Sequence, residues 1–194
     1  MAAGCLHQIL HRYEDEPTHQ IEPTQLYKWL LDIANGMSFL HSLNDKEQLS
    51  GFQLNPYHVF IDDETGVAKL NMGDTLFSFQ QSSARARFLN PAYLSPEVLQ
   101  KIPSEINLQA AHMWSFAVCL YEVETRQIPF DGLSPMEIGL KVSFEGLRLE
   151  LESAGHGEKL FRICMNEDVS KRPKFEQIIP VLDKLIKSTR PSNF

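Results

Sequence analysis

The run QAAHMWSFAVCLYEVET, residues 109–125, constrains the fold more than any other part of the chain. On a helical wheel Ala110, Ala111, Met113, Trp114, Phe116, Ala117, Val118 and Leu120 cover most of the circumference. A helix without a polar face has to be enclosed by other elements. It is too short for a bilayer, which takes about 20 apolar residues, because the run WSFAVCLY stops at Glu122. The segment therefore belongs at the centre of a bundle, and the rest of the chain must supply the shell.

That shell can be read in order. Residues 4–13 look like a short helix, followed by the polar linker EDEPTHQIEPT. From Pro23 to Leu43, the residues Leu26, Leu30, Ile33, Met37 and Leu40 recur at spacings of three and four, an apolar stripe on one helix face. Pro23 and Thr24 mark its start, with Thr24 as the expected cap, and the run ends near Asn44 and Asp45. The segments HVFID and VAKLNM are rich in β-branched and aromatic residues and flank DETG, which predicts a hairpin. Residues 74–94 carry no sustained period and read as a surface loop. Ser95, Pro96 and Glu97 open a helix. Ser134 and Pro135 open another, and Glu137 completes a capping box. GEKLFRICMNED and KFEQIIPVLDKLIKS are two further amphipathic helices. The expected fold is mainly α, about seven helices around a buried central helix, with one short β-hairpin.

Composition narrows the function. A hydrophobic fraction of 43% and a charged fraction of 22% suit an ordinary globular domain. The net charge of −7 gives no electrostatic support for nucleic-acid binding. The start MAAGCLHQIL has neither the basic residues nor the long apolar run of a signal peptide. Cys5, Cys119 and Cys164 are odd in number and far apart, which suits neither a disulfide framework nor a Cys-x-x-Cys metal site. His7 and His11 stand one helical turn apart in HQILH, but the Glu of His-Glu-x-x-His is missing and no third ligand is apparent nearby. The expectation for that pair is a solvated helix face and no metal.

Four motifs in sequence point to a family. SPE (95–97) stands for Ala-Pro-Glu, and HMWSFAVCLYE (112–122) for the Asp-x-Trp-Ser-Phe-Gly helix with its distal Glu. IPFDG (128–132) and NEDVSKRPKF (166–175) follow at the usual places. In this the chain resembles the C-terminal lobe of protein kinases. More narrowly, DIANGMSFLHSL, MWSFAV, PMEIGLKV, FEGLR and RICMNEDVSKRPKF resemble the integrin-linked kinase family of pseudokinases, from about residue 5 to about 187. The resemblance implies a partial kinase-like domain over residues 1–190, with 191–194 as a tail. It also implies an ion pair between Glu97 and Arg172. The N-lobe and ankyrin repeats of that family are expected to be missing from this chain, whose Met-Ala-Ala start falls in mid-domain.

Phosphoryl transfer in kinases takes a Gly-rich loop over the phosphates, a strand Lys paired to a helix Glu, a catalytic Asp, and an Asn and an Asp on Mg²⁺. No Gly-x-Gly-x-x-Gly occurs here, and Lys28 lies within the first long helix, where a solvated role is expected. Counting back from VFIDD, Gln53 fills the slot of the catalytic Asp and His58 that of the metal-binding Asn. An amide is no general base, and imidazole is a poor ligand for a hard cation. DTL (74–76) stands where Asp-Phe-Gly belongs, so Asp74 alone is kept as a vestigial Mg-ATP ligand. His112 replaces the Asp that holds the catalytic-loop backbone in the family, so that anchoring has lapsed or changed. The expectation is a catalytically inactive lobe that carries no cofactor, ATP and Mg²⁺ requiring an N-lobe.

What remains is docking. Met136, Leu140 and Phe144 repeat at i, i+4 and i+8, with Lys141 beside them, a stripe suited either to a partner's groove or to packing against the lobe itself. The resemblance favours docking and implies a parvin-type calponin-homology domain as partner, at cytoplasmic focal adhesions. Two alternatives stay open at this point: a phosphotransferase with a non-standard base, and a truncated fragment without a role of its own.

Overall fold

A computed structural model of the chain describes residues 2–11, 21–43, 49, 52–72, 90–100, 105–151 and 156–189. The apolar run forms helix α4, Leu108–Thr125, and every residue from Ala110 to Val123 is buried. Asn107 caps it by accepting from the Ala110 N–H at 3.2 Å. In chain order the described elements are β1 (Ala2–Cys5), α1 (Leu6–His11), α2 (Pro23–Ser42), β2 (Val59–Asp62) and β3 (Ala68–Leu70). They continue with α3 (Pro96–Gln100), α4, α5 (Pro135–Leu140), α6 (Glu158–Cys164) and α7 (Phe175–Ser188). The described residues thus form seven α-helices, one of them the buried α4, in keeping with the expected mainly α architecture. No helix among the described residues is long and apolar enough to cross a membrane.

Helix α2 buries Leu26, Leu30, Ile33 and Met37 of its stripe, and Tyr27, Trp29 and Ala34 beside them. Its far side packs on α7, whose Phe175, Ile178, Leu182 and Ile186 face inward. Thr24 is not the cap. Pro23 occupies the first turn, the Glu22 carbonyl accepts from Gln25 and Leu26, and the Thr24 hydroxyl reaches the Thr189 carbonyl at the end of α7. Lys28 is exposed, as expected.

The hairpin forms, with β2 and β3 antiparallel, and gains a third strand. Residues 2–5, of which Gly4 and Cys5 read as the start of a helix, instead pair with β2 to give the order β1-β2-β3. The cause is non-local: the open edge of β2 recruits this segment, and Gly4 at φ +119° sits at a bulge that L side chains rarely tolerate. The helix therefore starts at Leu6. Close packing of α2 on the sheet needs Gly36, where a Cβ would lie 2.9 Å from Leu70 Cδ1.

The three cysteines are free and buried. His7 and His11 do not form a solvated face. Their ring nitrogens lie 2.7 and 3.0 Å from Glu122 Oε1 on α4, with side chains only 15% and 10% exposed.

Candidate functional site

The segment in the catalytic-loop slot, residues 52–58, is pinned by alternate side chains. Phe52 and Leu54 enter the core, whereas Gln53 and His58 remain at partly exposed positions. Asn55 is buried and locks the turn: its Oδ1 accepts from the backbone N–H of Tyr57 at 3.0 Å and of His58 at 3.2 Å, while Pro56 opens a short 3-10 turn. His58 folds back on its own loop, and its Nδ1–H donates to the Gln53 carbonyl at 2.8 Å. One ring nitrogen of His58 is thus engaged in holding backbone. Asp74 lies outside the described residues.

His112 answers the question of the lost anchor. Its Nε2 is 3.1 Å from the Phe52 carbonyl and its Nδ1 is 3.0 Å from His41 Nε2. A carbonyl only accepts, so Nε2–H donates to Phe52 and Nδ1 accepts from His41 Nε2–H. Burial lowers both imidazoles to about 4, with the neighbouring His112 adding to the shift at His41. Both rings are neutral at pH 7, which is the state this one-way chain requires. The anchor has changed rather than lapsed: a donor now holds a loop carbonyl where a carboxylate would accept from loop N–H groups.

Glu97 on α3 and Arg172 meet across 75 residues of sequence, both buried. Arg172 Nη1 donates to Oε1 at 2.6 Å and Nη2 to Oε2 at 3.1 Å. Two further donors reach the Ala110 carbonyl at 3.0 Å and the Asn166 carbonyl at 2.7 Å, and the guanidinium lies 4.9 Å from the Trp114 ring centroid. Burial alone would raise the Glu97 carboxyl, but hydrogen bonds and charge from Arg172 outweigh it and hold the group below its usual range.

On α5, the capping box forms as read: Glu137 accepts from Ser134, and the Ser134 hydroxyl accepts from the Glu137 N–H. The helix continues into a π-turn, Lys141–Glu145, that ends at Gly146 with φ +71°. Ile138 and Val142 face the lobe and are buried. The other side carries Met136, Leu140 and Phe144 at 82%, 52% and 75% exposure, with Lys141 half-buried beside them. The stripe therefore does not pack on its own lobe. Arg148 fixes the turn from below, donating from Nη1 to the carbonyls of Val142 and Leu147 at 2.7 Å each and lying over Trp114.

Several of these groups escape a sequence reading. His41 looks like one more residue of an amphipathic helix, Arg148 like a surface charge, and Glu122 like the end of an apolar run. Asn55 had a signal, since Asn-Pro marks a turn. The others are placed by partners far away in sequence.

With this geometry in hand, similarity to known proteins is informative. The sequence profile of the protein tyrosine and serine/threonine kinase family matches residues 1–182. The chain is 44% identical over 188 residues to "Integrin-linked protein kinase homolog pat-4" of Caenorhabditis elegans, covering 96% of this chain and 38% of that protein. It is 43% identical over 187 residues to "Scaffold protein ILK" of Homo sapiens, covering 95% and 39%. "Probable serine/threonine-protein kinase drkA" of Dictyostelium discoideum is 29% identical over 187 residues, covering 95% and 28%. The chain thus spans under two-fifths of the length of these relatives.

Proposed function

Since this chain belongs to the protein tyrosine and serine/threonine kinase family, and within it to the integrin-linked group, we propose that it is a catalytically silent kinase-like lobe that serves as a protein-docking scaffold. One observation carries the proposal. A capped helix with a buried face, Ile138 and Val142, presents three large apolar side chains to water on the other, Met136, Leu140 and Phe144. Exposed apolar groups clustered on one helix face mark a partner site. The partner is a parvin-type calponin-homology domain, and the setting is the cytoplasmic side of integrin attachment sites. The choice of partner rests on the resemblance of PMEIGLKV and FEGLR to the integrin-linked kinase family, and the choice of surface on the exposure of the stripe. The name "Scaffold protein ILK" carried by the mammalian relatives agrees with it.

The slot residues support silence. Gln53 supplies no base, and His58 spends its Nδ1–H on the Gln53 carbonyl. The competing reading is an ATP-dependent protein kinase, favoured by the names of the Dictyostelium relatives, with Asp74 as its metal ligand. Labelled-ATP turnover by the purified chain above a blank would establish that reading and remove ours.

Docking is tested by pull-down and calorimetry with a parvin calponin-homology domain. Leu140→Asp with Lys141→Glu is expected to abolish capture while circular dichroism stays unchanged. Undiminished capture by this folded variant, and by Phe144→Asp, would eliminate the proposed face.

A further inference from the structure

The fully buried carboxylate of Glu122 collects three partners from two distant segments. His7 Nδ1 and His11 Nε2 approach Oε1 at 2.7 and 3.0 Å, and the Tyr93 hydroxyl donates to Oε2 at 2.6 Å. The two histidines are i and i+4 on α1, which puts both rings on one face, with centroids 4.6 Å apart. One ligand atom from each of His7, His11 and Glu122 lies within 4.8 Å of the other two. We propose that these three residues form a zinc site that fastens the β1–α1 segment to the central helix.

The chemistry fits the metal. Two imidazole nitrogens and one carboxylate oxygen form a mixed ligand set suited to a borderline cation such as Zn²⁺, and leave a fourth position for water. Tetrahedral zinc with bonds of about 2.0–2.1 Å holds its ligand atoms about 3.3 Å apart. The two contacts to Glu122 need to open by only a few tenths of an ångström, and the two rings need to close on each other. An outer shell is already built. Tyr93 fixes the far carboxylate oxygen, leaving Oε1 directed at the histidines. The Tyr57 hydroxyl meets His7 Nε2 at 3.0 Å, and its ring stacks on His7 with centroids 4.1 Å apart. A hydrogen bond on the second ring nitrogen orients a metal-bound imidazole.

The position gives the site a consequence. His7 and His11 are 115 and 111 residues from Glu122 in sequence, and Tyr57 belongs to the degenerate catalytic-loop segment. One ion would tie the edge strand, that loop and the buried helix together, a crosslink that stabilises by closing long loops. The site is separate from the α5 face and does not depend on the docking proposal.

The test uses tag-free chain freed of metal with a chelator. Titration calorimetry with zinc chloride is expected to show one equivalent per chain, with a rise in the thermal midpoint. His7→Gln with His11→Gln should abolish both effects, and Tyr57→Phe should weaken zinc about tenfold, the low end for an outer-shell residue. Binding that is absent, or that survives unchanged in the folded double-histidine variant, overturns the proposal. Should that variant not fold, cobalt on the unaltered chain decides: an intense tetrahedral visible spectrum supports the site, and a weak octahedral one overturns it.

Discussion

Replacing Glu97 by Gln is the sharpest probe of how the lobe is braced. In the native chain Arg172 makes four hydrogen bonds, two to Glu97 and one each to the carbonyls of Ala110 and Asn166. Both side chains are under 10% exposed. The introduced amide would keep one acceptor and turn its NH₂ towards Nη2, leaving a buried guanidinium without its counter-charge. Breaking a buried pair in this way costs about 3–5 kcal/mol, a large share of the roughly 5–15 kcal/mol that holds a domain folded. Urea unfolding followed by tryptophan fluorescence reads it directly. With a slope of about 2 kcal/mol/M, the midpoint should fall by about 2 M. Arg172→Lys should be nearly as damaging, since an ammonium cannot form the fork or lie flat on Trp114. By contrast, Glu97→Leu with Arg172→Met should recover part of the loss, because removing both charges leaves neither unpaired, although the Ala110 and Asn166 carbonyls still lose a donor. The sign with pH also follows. A carboxyl held below its unfolded value of 4.5 contributes fully above that value and progressively less as pH falls through the folded one. The gap between native and Glu97→Gln should accordingly narrow below pH 4.5. A Glu97→Gln cost under about 1 kcal/mol, the range of exposed pairs, would refute the buried-brace argument.

Three further outcomes are expected. His41 and His112 are lowered from 6.5 to about 4, so the unfolded chain binds more protons between those values. Stability should therefore fall as pH drops from 6.5 towards 4, by up to about 3 kcal/mol per ring. His112→Asn, whose amide can still donate to the Phe52 carbonyl, should flatten that slope in pH-dependent urea melts. Ser134→Ala removes the hydroxyl that caps α5, costing about 1 kcal/mol, and should weaken calponin-homology capture although no contacting side chain has changed. Gly157→Ala would place a Cβ 2.6 Å from Glu124 Oε1 and 3.1 Å from Leu120 Cδ1, in a carboxylate already tied to Tyr27 and the Gly157 N–H. Thermal melts should show a loss of about 1–3 kcal/mol.

Local rules carried the helices. Leu26, Leu30, Ile33 and Met37 on α2, the uniformly apolar α4 and the Ser134–Glu137 box each announce their structure through spacing alone. What they could not announce depends on pairing across the chain. Residues 2–5 became a strand because β2 had a free edge, and that edge lies in a segment that begins only at Val59. Likewise, Thr24 sits where a cap belongs but bonds to Thr189. The candidate site divides in the same way. The assignment of Gln53 and His58 to their slots rests on counting along one strand-turn segment, and the α5 stripe can be read because it is periodic. Whether that stripe faced water was open until Ile138 and Val142 filled the lobe side. His41 and Glu122 gain their meaning only from the rings and hydroxyls that the fold brings to them.

The exchange of charge for neutral dipoles runs through the whole loop and explains how it keeps its shape. A kinase loop holds carboxylates at the catalytic and anchoring positions, and each charge has to be offset by metal, backbone N–H groups or a cation. By the resemblance those positions fall at Gln53 and His112 here, and burial keeps the latter ring uncharged. The His41–His112–Phe52 chain transmits one hydrogen bond into the next, and Asn55 holds the turn with a neutral amide. Neutral donors and acceptors need no counter-ion, so these contacts hold residues 52–58 with no buried charge to offset. The same reasoning forecasts the effect of reversion. His112→Asp would set a carboxylate against the Phe52 carbonyl, acceptor against acceptor in a buried site, and leave His41 Nε2–H with a charged partner. A loss of about 1–3 kcal/mol is expected from the unpaired carbonyl alone, greatest at pH values high enough to ionise a carboxyl that burial holds above its usual range. A reverted chain as stable as the original at neutral pH would mean that the loop backbone turns over to present its N–H groups, and that its present polarity is not fixed by His112.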